Sequence, residues 1–146
     1  MKTLTLTALI CLAAALARAQ TGGVRAGASA DPNQFYAGVH YESPDIVDRL
    51  RFRPNVEVGL GDDRTLIGVN IEFTYRLRKP IVPMWQFYVG GGPALNIIHF
   101  RDNTEPEGGF NVLAGLSHRS GLFTEVKFGA IQSPRFKVGV GYTFRP

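Results

Sequence analysis

A chain of 146 residues has room for one domain with one core. Its 16 Lys and Arg stand against 12 Asp and Glu. With Lys2 and Arg18 set aside, 14 oppose 12, a net charge of +2 that is too small and too dispersed to specify nucleic acid. The single cysteine, Cys11, falls in an apolar leader, so disulfides are not expected to staple the fold.

The leader comes first. Met1-Lys2 gives a positive start, Leu4 to Leu16 is apolar with Thr interspersed, and Ala17-Arg18-Ala19 has the small-x-small form of a signal-peptidase site. The run is shorter than the ~18 apolar residues of a spanning helix. Residues 1–19 are therefore expected to be a cleaved signal peptide, and residues 20–146 the mature domain.

Downstream the dominant signal is period two. In 22–30, Val24, Ala26, Ala28 and Ala30 oppose Arg25, Gly27 and Ser29. Residues 35–42 set Phe35, Ala37, Val39 and Tyr41 against Tyr36, Gly38, His40 and Glu42. In 49–61, Leu50, Phe52, Pro54, Val56, Val58 and Leu60 oppose arginines, Asn55, Glu57 and glycines. In 65–78, Ile67, Val69, Ile71, Phe73, Tyr75 and Leu77 oppose Gly68, Asn70, Glu72, Thr74, Arg76 and Arg78. The same split recurs in 85–98, 110–117 and 122–130. It ends with Phe136, Val138, Val140, Tyr142 and Phe144 against Lys137, Gly139, Gly141, Thr143 and Arg145. Turn residues separate these runs at Asp31-Pro32-Asn33, Ser43-Pro44-Asp45, Gly61-Asp62-Asp63, Lys79 to Pro83, Arg119-Ser120-Gly121 and Gln132-Ser133-Pro134. Arg101 to Gly109 reads as the longest loop and the best segment for contacting a partner. Gly91-Gly92-Pro93 predicts a bulge or kink, because proline donates nothing to a ladder. The pattern predicts an all-β fold, an eight-stranded antiparallel up-and-down barrel.

Alternation leaves open which face is inside. Bulky aromatics on one side and glycine with mixed charges on the other favour an inverted, transmembrane barrel, whose narrow lumen needs small residues and both charge signs. On that reading Arg51, Arg53, Glu57, Glu72, Arg76, Glu125, Lys127 and Lys137 form a lumen charge network. Phe52, Val56, Val58, Val69, Ile71, Phe73, Phe87, Val126, Phe128, Val138, Val140 and Tyr142 face lipid. Trp85, Phe87, Tyr75, Tyr142 and Phe144 lie toward strand ends, where an interfacial girdle belongs. The soluble alternative packs the same apolar faces inward around an apolar ligand.

The leader, the hairpin rhythm, the segment Phe87-Tyr88-Val89-Gly90-Gly91-Gly92-Pro93 and the ending Val138-Gly139-Val140-Gly141-Tyr142-Thr143-Phe144 resemble the small outer-membrane β-barrel proteins, the porin-like OmpA/OmpX-type superfamily. The resemblance implies export to the bacterial outer membrane. It also implies that Tyr142 and Phe144 are a C-terminal signal read by the barrel-assembly machinery, although Arg145-Pro146 follow the aromatic here. Outer-membrane lipid and that machinery are then the expected partners, while the protein partner is open.

Some barrels of this kind are enzymes, which carry a catalytic constellation. The histidines His40, His99 and His118 make no Ser-His-acid spacing with Ser117 or Ser120. No cofactor, metal site or enzymatic activity is expected. A structural, adhesive or interaction role comes first, and a narrow channel for ions or small polar solutes second.

Overall fold

Eight strands follow one another in the computed structural model: β1 (Gly22–Ala30), β2 (Gln34–Tyr41), β3 (Leu50–Leu60), β4 (Arg64–Arg76), β5 (Trp85–Phe100), β6 (Asn103–His118), β7 (Leu122–Ile131) and β8 (Phe136–Thr143). Each pairs antiparallel with the next, and β8 returns to β1, closing the barrel. The structure describes residue 7 and residues 21–30, 33–61, 64–79, 82–100, 102–131 and 134–144. The leader expected over 1–19 lies outside the described residues apart from Thr7. So do the turn residues Asp31, Pro32, Asp62, Asp63, Pro80, Ile81, Arg101, Gln132 and Ser133, and Arg145 with Pro146.

Because successive side chains on a strand point to opposite faces, each strand divides its residues between the inside and the outside. The apolar set points out: Val69, Ile71 and Phe73 are 37%, 43% and 42% exposed, while their neighbours Asn70, Glu72 and Thr74 are buried. A soluble carrier would need the opposite arrangement, so the apolar-ligand reading does not hold. Charged and amide side chains fill the interior together with Tyr36, Leu66, Tyr88, Leu113 and Phe123.

Register places large inward side chains against inward glycines. Tyr36 pairs with Gly27, which pairs in turn with Gly139, and a Cβ on Gly139 would lie 2.2 Å from the Tyr36 hydroxyl. Tyr88 lies across Gly115, Phe123 across Gly141 and His40 across Gly23 in the same way. The glycines supply the floor on which the lumen rings lie.

Two expectations are corrected. The segment 101–109 is not a long loop: β6 begins at Asn103, and Glu105 and Glu107 pair with Ile98 and Asn96 of β5. The polar composition suggested a loop, but pairing with β5 imposes extended backbone. At Gly91-Gly92-Pro93, where a bulge or kink is expected, no residue is inserted, but the ladder is interrupted. Pairing of β4 with β5 lapses between Asn70↔Ala94 and Phe73↔Gly91 without a change of register. A Cβ at Gly92 would sit 1.7 Å from the Ile71 carbonyl oxygen, so glycine lets the two backbones approach closely and the strand continues. At Pro54 the β2–β3 ladder lapses likewise, then resumes where Ser43 N–H donates to Phe52 O at 2.9 Å.

The rim where β1 starts and β8 ends, here the near rim, carries the connections 42–49, 77–84 and 119–121. The far-rim connections run two to four residues, and there the β5–β6 hairpin extends beyond its neighbour: β6 pairs with β7 only from Gly109 onward.

Candidate functional site: a charge-filled lumen

Five strands direct ionisable groups to one level of the interior. β1 supplies Arg25, β3 Arg53 and Glu57, β4 Glu72, β7 Glu125 and Lys127, and β8 Lys137, all buried. Arg25 lies 3.2 Å from Glu57 and 3.0 Å from Glu125. Arg53 meets Glu125 at 2.6 Å. Lys127 donates to Glu72 at 2.5 Å and to Glu57 at 3.3 Å, and Lys137 donates to Glu57. Burying an ion costs several kcal/mol unless opposite charge and hydrogen bonds compensate, so four cations and three carboxylates can share this space only as a connected set.

Aromatic rings complete the cations' surroundings. The Arg53 guanidinium lies 5.1 Å from the Tyr88 ring centroid and 5.3 Å from that of Phe123, and Lys137 Nζ lies 4.9 Å from the Tyr36 ring. An amide chain runs alongside: Asn111 donates to Asn70 at 2.9 Å, and Asn70 donates to Asn55 at 2.8 Å. His40 Nε2 is 2.9 Å from the Thr143 hydroxyl, with Phe123 edge-on at 5.2 Å.

Arg51 and Arg76, expected in the network, stand at the near rim instead. Arg51 pairs with Glu42 and, at 2.7 Å, with Asp45, and Arg76 reaches Asp45 at 2.8 Å. Period two gives each arginine a face but no height. Register puts Arg51 opposite Thr74, nearer the rim than Arg53 opposite Glu72. Arg25 belongs to the network although the expected charge set lacked it. It is the one charged residue of β1, on the face opposite the alanines, and that position is its only sequence signal.

The interior has little free space. The near-rim cavity between Arg51, Arg53, Arg76, Tyr88 and Phe123 is about 10 Å³, no more than a water's worth. A shallow hollow of about 160 Å³ lies under the projecting hairpin, between Arg64, Phe100, Glu105 and Glu107. His118 and Ser120 do meet, with Nδ1 2.9 Å from the hydroxyl, but the same nitrogen accepts the Ser120 backbone N–H at 3.1 Å. That ring closes the β6–β7 turn. Among the described residues no His, Cys, Asp and Glu group could hold a metal ion.

No family model and no curated protein sequence matches the chain. Solved structures do. The N-terminal β-barrel domain of Pseudomonas aeruginosa OprF aligns with a TM-score of 0.58 at 15% identity, over 86% of this chain and 96% of that one. Neisserial surface protein A (NspA) aligns with a TM-score of 0.66 at 12% identity, over 86% of this chain and 95% of that one. With eight antiparallel strands closed first to last, the chain has the fold of the small OmpA/OmpX-type outer-membrane barrels.

Proposed function

We propose that the protein is an integral outer-membrane barrel with a side-chain-filled lumen, serving a structural, adhesive or interaction role, and that it is neither a pore nor an enzyme. The observation that carries this reading is the cross-linked set of seven buried ionisable residues, from Arg25 to Lys137, that occupies the middle of the lumen. An eight-stranded barrel is just wide enough for its own side chains. The outward face supports the membrane: a closed barrel leaves no backbone edge unsatisfied in lipid, and the exposed valines, isoleucines and phenylalanines need an apolar surrounding. We infer that a chain exported by such a leader inserts from the periplasmic side and keeps both termini there, with the near rim in the periplasm and the β5–β6 hairpin outside the cell. The hairpin is then the surface for a protein partner. Tyr142 and Phe144, whose rings pack at 5.6 Å, then form the assembly signal.

Two measurements test this. Purified from the outer-membrane fraction, the folded protein is expected to change its electrophoretic mobility on boiling in detergent. Planar bilayers containing it are expected to stay silent at all voltages. Recovery as a detergent-free soluble monomer would sink the membrane assignment. Discrete conductance steps would establish the channel reading in place of the filled lumen.

A further inference from the structure

Two near-rim turns share one geometry. Leu50 N–H donates to Val47 O at 3.0 Å, and Trp85 N–H donates to Val82 O at 3.1 Å. Each is a four-residue turn whose third residue, Arg49 or Met84, has positive φ (67° and 73°). Turns of this kind usually place glycine there. Here they hold up large side chains instead: Met84 is 60% exposed and Val82 50%.

Around the second turn the chain gathers cations. Arg119 N–H donates to Met84 O at 3.0 Å, and the exposed Arg78 and Lys79 belong to the same connection. The Arg78 side chain is 76% exposed, with Asp48 only at 3.9 Å. Trp85 stands in this patch, packed on His118 at 4.9 Å. The outward Tyr75 and Tyr142 end their strands at the same rim. The far-rim hairpin carries Asp102, Glu105 and Glu107 instead.

Rings with a polar edge occupy the headgroup level of a bilayer, and basic side chains just beyond it attract anionic lipid. Resting on the membrane reading above, we propose that the near rim is an anionic-phospholipid site. Val82, Met84 and Trp85 enter the top of the acyl layer, while Arg78, Lys79 and Arg119 hold headgroup phosphates. The partner is the bilayer leaflet around that rim, with a phosphatidylglycerol-type headgroup preferred over a zwitterionic one.

Trp85 is the chain's one tryptophan and so reports on this patch directly. The folded full-length protein would be reconstituted in phosphatidylcholine vesicles containing a minority of phosphatidylglycerol, with bromine on the acyl chains of one lipid or the other. Stronger quenching of Trp85 by the brominated phosphatidylglycerol is expected, with about a fivefold relative preference, the equivalent of ~1 kcal/mol for one basic side chain near the surface. The preference should vanish in an Arg78→Gln, Lys79→Gln, Arg119→Gln variant and persist in Arg135→Gln at the far rim. Should the triple variant not fold, raising the salt on the unaltered protein tests the same point, because screening must abolish the preference. Equal quenching by the two lipids, or a preference that survives the variant or high salt, overturns the proposal and leaves the membrane reading standing. No quenching by either lipid overturns both.

Discussion

Glu57 meets Arg25, Lys127 and Lys137; Arg25 keeps Glu125 and Lys127 keeps Glu72, so removing its charge strands Lys137. Glu57→Gln is therefore expected to destabilise the barrel by about 3–5 kcal/mol, the cost of breaking a buried ion pair from one side. Combining it with Lys137→Met should cost less than the two single changes summed, because the stranded charge goes too. Urea unfolding of the reconstituted protein measures both. Met84 poses the opposite case. A non-glycine residue in the left-handed region costs roughly 1–2 kcal/mol, so Met84→Gly should recover up to about 1 kcal/mol after glycine's greater freedom in the unfolded chain is counted. A melting temperature that falls would refute that. Asp45 is governed by pH. The Arg51 side chain above all, and Arg76 beside it, hold its carboxyl below the ordinary value of 3.8. A carboxylate whose folded pKa is depressed contributes its full stabilisation above the unfolded value and loses it as pH falls through the folded one. Protection of the Ile46 amide, whose N–H donates to Leu50 O, is expected to fall only below pH 3.8 when exchange is compared with the free-peptide rate at each pH.

Among the elements, the β5–β6 hairpin departs furthest from what its composition suggests. Its polar, proline-containing second arm reads as a loop, because nothing within 101–109 alternates cleanly. Extended backbone there comes from its partner, with Pro106 opposite Ile97 and Thr104 opposite His99. Local sequence cannot show that. Beyond Gly109 the arm has no β7 partner, so Asn103 to Gly108 is a sheet edge. Bare edges recruit further strands, and charge together with proline blunts them. Replacing Glu105 and Glu107 by Thr and Pro106 by Val is expected to produce edge-paired dimers in detergent, read by cross-linking or sedimentation. A variant as monomeric as its parent would show that the edge needs no protection. The strands with uniform alternation were the legible ones: β1 and β7 differ from their predicted spans by at most a residue, since an unbroken period of two leaves a strand little else to be.

At the scale of the whole molecule, sequence pattern gives strand number and the two faces, while closure fixes the height at which side chains meet. Arg53 and Glu125 stand 72 residues apart, and only the shear of the closed wall sets their hydrogen bond at 2.6 Å. For the same reason the central aromatics Tyr36, Tyr88 and Phe123 could be placed on the inner face from sequence but not matched to the glycines beneath them. Closure joins β1 to β8, with Gly23 beside Thr143 and Ala30 beside Phe136. Of the eight staves, synthesis delivers β1 first and β8 last. Every shorter chain would therefore have two raw lips where a seam should be. A wall with two lips cannot rest in a hydrocarbon layer, so no stave can settle there before the eighth has been made.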